Sequence, residues 1–233
     1  MTRLRLLGYP VSNYVNVVRA ALLEKELPFE FVPTRASQDA AFRQLSPLGK
    51  IPVLETAAGC LTETVAILDY LDDAYPDIPL RPARAFERAR ARQMINIIQI
   101  YVEAQVRQLF PGLFMGGDNL PTTEASVRAM LDRATAALSQ LLVPEPFLLG
   151  ERPGQADLFA YYNLDIADRV TRFTYHRSLI EEIGGLEDWL KAMRARSSTR
   201  LVMAEFQSSF ATYLADHGAA YSPEESRRSL SHA

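Results

Sequence analysis

Two hydroxyl side chains, Tyr9 and Ser12, stand close together in the run Gly8-Tyr9-Pro10-Val11-Ser12-Asn13. Ser12 and Asn13 carry oxygens suited to capping a helix. The free N–H groups and dipole of a helix N-terminus also favour a nearby anion. A hydroxyl at that point can accept from the backbone or donate to an anion. A second helix start follows at Thr62-Glu63-Thr64, where Thr62 is the expected cap and the first turn offers a carboxylate site. Between the two lies Lys50-Ile51-Pro52, a cation beside a proline that local sequence alone reads as a trans proline opening an edge strand. Protein thiol chemistry is sparse. Cys60 is the one cysteine, which excludes an internal disulfide, a CxxC pair and a cysteine-built zinc site. Flanked by Gly59 and Leu61, it reads as a small buried residue. His176, His217 and His232 are far apart and have no HxxxH spacing, so no metal site is expected.

The elements that position these residues alternate over the first part of the chain. Leu4 to Leu7 reads as a strand ended by Gly8 and Pro10, and Ser12 opens a helix to about Leu27, with Val15, Val18 and Leu22 on one face. Phe29 to Val32 is a second strand, and a weaker helix over about 38–45 precedes the turn Ser46-Pro47-Leu48-Gly49. Ile51 to Glu55 and Cys60-Leu61 flank a hairpin turn, and a helix follows from Thr62 to about Tyr75. The order βαβα then ββα predicts a mixed sheet with helices on its faces, its first two strands parallel through a right-handed crossover. Prolines 76, 79 and 82 mark a linker. Beyond them the apolar period is helical, over about 84–110, 123–142, 155–169, 175–183, 186–196 and 199–215. The expected domains are therefore 1–78, α/β, and 84–217, all-helical, followed by a polar tail at 218–233.

Composition narrows the class. Of 233 residues, 25 are Lys or Arg and 28 Asp or Glu, a net charge of −3, which argues against nucleic acid as the main partner. Hydrophobic residues at 48% support a real core. No run approaches the ~18 apolar residues of a membrane span, and the opening segment is too short in apolar residues for a signal peptide. A cytoplasmic protein without membrane association is expected. Asp165 with Arg169 and Asp168 with Arg172 have the i, i+4 spacing of surface ion pairs. Arg81, Arg84, Arg88, Arg90 and Arg92 cluster around the linker and the next helix, and Asp69, Asp72, Asp73 and Asp77 make an acidic stripe on the preceding helix. Two such patches could meet reciprocally across a twofold axis.

Three runs together carry a family resemblance: G-Y-P-V-S-N-Y-V-N-V-V-R-A-A-L-L-E-K-E-L at 8–27, L-S-P-L-G-K-I-P-V-L at 45–54, and L-T-E-T-V-A-I-L-D-Y-L at 61–71. In this order, ahead of a helical half, they resemble the cytosolic glutathione transferases. The likeness is to the serine-type members of bacterial, phi, zeta and theta-like kind. The resemblance implies a thioredoxin-like N-terminal domain and a cytoplasmic homodimeric detoxification enzyme. Its substrates would be glutathione and a small hydrophobic electrophile. It implies a cis Ile51–Pro52 bond that turns Ile51 toward the cysteinyl unit of glutathione, Glu63 and Thr64 at its γ-glutamyl end, and Lys50 toward one of its carboxylates. Ser12 is the expected catalytic residue, placed six before Val18; Tyr9 is one position from the slot that tyrosine-type classes use. Tyr9, Tyr101, Gln105, Phe110, Phe114 and Met115 are candidates for the second-substrate pocket, with Asn96 and Gln99 as possible polar contributors. Gly154 to Asp157 matches the family's buried capping box with its Ser or Thr replaced by glycine. Two other readings stay open: a glutathione-dependent reductase, peroxidase or dehalogenase, and a non-enzymatic binding or regulatory protein on the same scaffold.

Overall fold

The computed structural model describes residues 4–223. Strands β1 (Leu4–Gly8), β2 (Phe29–Pro33), β3 (Val53–Thr56) and β4 (Gly59–Leu61) form one sheet of order β2-β1-β3-β4. β1 pairs parallel to β2, and the other two pairings are antiparallel. Helix α1 (Asn13–Glu24) supplies the crossover, α2 (Ala40–Leu45) connects to the hairpin, and α3 (Thr64–Ala74) closes the unit. The second half is helical: α4 (Ala85–Ile97), α5 (Ala104–Val106), α6 (Phe110–Phe114), α7 (Pro121–Leu141), α8 (Gln155–Tyr175), α9 (Leu179–Ile183), α10 (Glu187–Ala195) and α11 (Ser197–Asp216). The architecture is the expected α/β unit followed by helices. Among the described residues no helix is long and apolar enough to cross a membrane. Most of the polar tail, from residue 224 on, lies outside the described residues.

Three expectations need correction. The helix read as continuous over 84–110 is broken: α4 passes into a π-helical segment at Ile98–Glu103, and Arg107–Leu109 tightens to a 3-10 turn between α5 and α6. Cys60 is exposed, because β4 is an edge strand of three residues with little packed over it. The arginine cluster and acidic stripe meet within one chain, where Arg81 pairs with Asp73 and Arg92 with Asp69. Arg84 turns to Glu87, and Arg88 and Arg90 to the Ala83 carbonyl and Gln93, so stripe and cluster are met in part within the chain.

A buried ion pair in the first half anchors its junction with the second. Lys25 Nζ lies 2.7 Å from Asp72 Oδ1 and donates to the Ile78 carbonyl (2.6 Å), with both side chains almost fully buried. Asp72 also accepts from the Leu80 backbone N–H and from Gln155 Nε2. The end of α1, helix α3, the linker and the start of α8 thus share one carboxylate. The glycine in the capping box follows from the same junction. A Cβ on Gly154 would stand 2.7 Å from the Leu80 carbonyl oxygen, which accepts from the Gln155 N–H. The linker fills the place a serine or threonine would need. Asp157 keeps the other half, accepting from Gly154 N–H, Leu148 N–H and Trp189 Nε1. Burial pushes its carboxyl upward, and those donors pull it back.

Removing one partner of a buried pair leaves an uncompensated charge, at a cost of about 3–5 kcal/mol. Lys25→Met is expected to lower the unfolding free energy by about that amount in urea titration, and Lys25→Met with Asp72→Leu by less. Equal losses would show that the Leu80 and Gln155 contacts, not the charge pair, hold the junction.

Candidate active site

The turn from β1 into α1 is set by close packing. A Cβ on Gly8 would come within 2.6 Å of Val15 Cγ1, so only glycine lets the strand end press against the helix. The chain then bends at Pro10, with Ser12 N–H donating to the Tyr9 carbonyl (2.9 Å) and Asn16 Nδ2 to the Pro10 carbonyl (2.8 Å). Ser12 caps α1: its Oγ accepts from Val15 N–H at 3.3 Å. Its hydroxyl proton is left to donate elsewhere.

Two adjoining cavities open beside this turn. The first, about 360 Å³, brings together Lys50, Ile51, Pro52, Glu63 and Thr64, with Gln99, Glu103 and Arg107 opposite. Ile51–Pro52 is cis. Glu63, not Thr62, holds the cap position of α3, at φ +65° and ψ 114°. This is a region that a residue with a side chain enters at a cost of about 1–3 kcal/mol, typically at functional sites. The second cavity, about 500 Å³, is lined by Ser12 and Tyr9 from the sheet side and by Phe110, Phe114, Met115 and Tyr213 from the helices. Tyr14, Lys50, Ile51 and Arg107 line both, so the polar cavity runs into the apolar one a short way from Ser12.

Beneath this junction lies a polar network. Glu103, about 1% exposed, receives Tyr14 OH (2.6 Å), Asn13 Nδ2 (3.1 Å) and Arg107 Nε (2.9 Å). Asn13 also donates to Asn163 Oδ1 (2.8 Å) on α8 and accepts from Arg107 Nη2 (3.1 Å). Burial, and then the charge of Glu103, push the Tyr14 phenol well above its ordinary range, so it stays a proton donor. Among the described residues no three His, Cys, Asp or Glu side chains are grouped to hold a metal ion.

Comparison with known proteins agrees with this arrangement. Residues 6–80 match the model of the glutathione S-transferase N-terminal domain, and residues 89–192 that of the C-terminal domain. A glutathione S-transferase of Pseudomonas putida is 33% identical over 91% of this chain and 96% of its own. The chain belongs to the glutathione S-transferase family. A maleylacetoacetate isomerase of Dictyostelium discoideum is 28% identical over 71% of this chain and 84% of its own. Among solved structures, a glutathione S-transferase of Methylobacterium radiotolerans in complex with glutathione sulfonate superposes with a TM-score of 0.69. It is 26% identical, over 86% of this chain and 94% of that one.

Most of the residues expected from the family resemblance therefore stand at one cleft. Tyr101 and Gln105 do not. Tyr101 is 44% exposed, Gln105 Nε2 donates to the Ile100 carbonyl, and neither residue lines either cavity. Asn96 is likewise exposed. Gln99, Glu103 and Arg107, at i, i+4 and i+8, are the residues of this stretch that face the cleft with Ile100 and Ala104. Sequence reasoning missed Glu103, Tyr14 as a donor, Asn13, Asn163 and Arg107. The available signal was an acid, Glu103, closing the short apolar run Ile100-Tyr101-Val102.

The backbone at Glu63 gives a test that separates stability from binding. Glu63→Gly removes a strain of about 1–3 kcal/mol and adds back about 0.5–1 kcal/mol of chain entropy. Unfolding free energy is expected to rise by about 1 kcal/mol, net of these two effects. Glutathione binding by calorimetry is expected to weaken about tenfold or more with the loss of a charged contact. A less stable variant would show that this backbone carries no strain.

Proposed function

We propose that the protein is a glutathione transferase in which Ser12 stabilises the glutathione thiolate and a small electrophile is attacked from it. The carrying observation is the continuity of the two cavities beside Ser12, one polar with Lys50, Ile51, Glu63 and Thr64, the other walled by Phe110, Phe114 and Met115. The tripeptide suits the first. Glu63 would meet its amino group, the first turn of α3 at Thr64 its α-carboxylate, and Lys50 a carboxylate. Ile51 would pair its cysteinyl peptide unit, which leaves the sulfur at the mouth of the second cavity. A homodimer, a cytoplasmic location and a role in detoxification belong to this reading, as the family resemblance implies.

The chemistry needs a thiolate from a thiol with a free pKa near 8.5. A fall of two units corresponds to about 2.7 kcal/mol. One charge-assisted hydrogen bond from Ser12, with the dipole of α1, supplies about that much. The thiol proton passes to solvent. The sulfur lone pair then forms the bond to the electrophilic carbon, and the leaving group departs with its electron pair. No covalent intermediate with the protein is required, so the protein contributes positioning and control of thiol ionisation.

Ultraviolet thiolate absorbance of bound glutathione across pH tests this. The wild type is expected to show a midpoint one to two units below the free thiol, and Ser12→Ala a return toward it with kcat/KM down by about 10- to 100-fold. Ser12→Asp keeps an acceptor for Val15 N–H without a donor for sulfur, so it separates capping from activation. Normal stability with a lost midpoint shift is the expected result. An unshifted wild-type midpoint with glutathione bound would remove Ser12 from the reaction.

A further inference from the structure

The second cavity has a chemical bias that its apolar walls do not explain. Among its described lining residues there is no Asp or Glu, while Arg35, Lys50 and Arg107 all reach it. Each cation has a different standing. Arg107 is bonded to Glu103, so its charge is met inside the protein. Lys50 also lines the glutathione cavity, where a carboxylate of the tripeptide would take it. Arg35 is left. Among the described residues no carboxylate is its partner; its one hydrogen bond goes to Tyr9 OH at 3.2 Å.

Arg35 is also held in place. Its guanidinium carbon lies 4.3 Å from the centroid of the Tyr9 ring, and Tyr9 in turn packs against Tyr213 at 6.5 Å between ring centroids. Stacking restrains a long side chain that would otherwise lose rotamer freedom on binding. Burial raises the Tyr213 phenol and the nearby Arg35 pulls it back. His217 stacks on Tyr213 at 4.0 Å and donates from Nδ1 to the Tyr213 carbonyl (2.8 Å), which in the neutral ring leaves Nε2 an acceptor. A guanidinium fixed on a tyrosine face, with spare N–H donors and no acid nearby, has the geometry that recognises a carboxylate.

We infer that the electrophile bears a carboxylate, and that Arg35 on Tyr9 binds it while the rest of the molecule lies against Phe110, Phe114 and Met115. This inference rests on the reading of the cleft as a glutathione transferase site. It adds a specificity residue on the loop after β2, outside the three sequence runs that carry the family resemblance.

The probes are para-chloro-meta-nitrobenzoate and the matching benzamide, each a chloroarene from which the glutathione thiolate displaces chloride with its electron pair. Rates are normalised to the uncatalysed reaction with glutathione. The benzoate is expected to be preferred in kcat/KM by about tenfold, the worth of one charge-assisted contact at a cavity rim, and mainly through KM. Added salt is expected to raise KM for the benzoate and not for the benzamide. Arg35→Gln is expected to abolish the preference and Arg35→Lys to keep part of it, with circular dichroism confirming that each variant is folded. An equal rate for both probes, or a preference that survives Arg35→Gln, overturns the inference and leaves the transferase reading intact. Failure to bind glutathione, with neither probe conjugated above background, overturns the transferase reading and this inference with it.

Discussion

A carboxylate withdrawn from water at the domain junction governs the rest of this structure. Glu103 is almost fully buried, and an ionised side chain there costs several kcal/mol unless donors surround it. Tyr14 and Asn13 from α1 and Arg107 from the helical half supply them. That requirement ties the first turn of α1 to the wall of the cleft, and Ser12 is the residue just before it. The π-helical segment is part of the same solution. It ends at Glu103, which stands with Gln99 and Arg107 on the cleft side. Such insertions are rare in helices and cluster at functional sites, and here the cause is visible in the network it aligns.

Capping and catalysis look like competing uses of Ser12 when only the sequence is considered. The geometry removes the conflict. A hydroxyl has two acceptor lone pairs and one proton, and the bond from Val15 N–H uses one lone pair. The cap fixes where the oxygen stands, and the proton is left to the cavity. Gly8 serves the same end from the strand side, since a side chain there would drive β1 away from Val15 and move the turn.

Elements with strong local periodicity were legible in the sequence. The parallel β1–β2 unit, the hairpin and helices such as α7 follow from apolar spacing, Pro and Gly. The residues of the polar cavity were legible only because three short runs occur in order. What was not legible depends on partners far apart in the chain. Asn13 meets Glu103 and Asn163 across separations of 90 and 150 residues, and no window of sequence contains that pairing. Tyr101 and Gln105 were misplaced for a narrower reason: the family implies which helix lines the pocket but not which face of it, and the face carrying Gln99, Glu103 and Arg107 is the one turned inward. Cys60 was misjudged from its neighbours, because an edge position is a property of the sheet and not of Gly59 or Leu61.

The distribution of charge around the cleft is the last consequence. Around the linker, acids and arginines largely cancel within the chain, through Lys25 with Asp72, Arg81 with Asp73 and Arg92 with Asp69. At the cleft they separate. Glu63 and Glu103 line only the first cavity, Lys50 and Arg107 line both, and Arg35 lines only the second, which has no acid among its described lining. A tripeptide with an ammonium at one end and carboxylates at both has one favourable orientation across such a gradient. In the proposed reading its amino end would lie toward Glu63, its other end toward Lys50, and its sulfur between, facing Ser12. Apolar walls alone would not distinguish that orientation from its reverse. The sign of the charges does, and it does so before any contact with the sulfur is made, because electrostatic bias acts over the Debye length of about 8–10 Å at ordinary ionic strength.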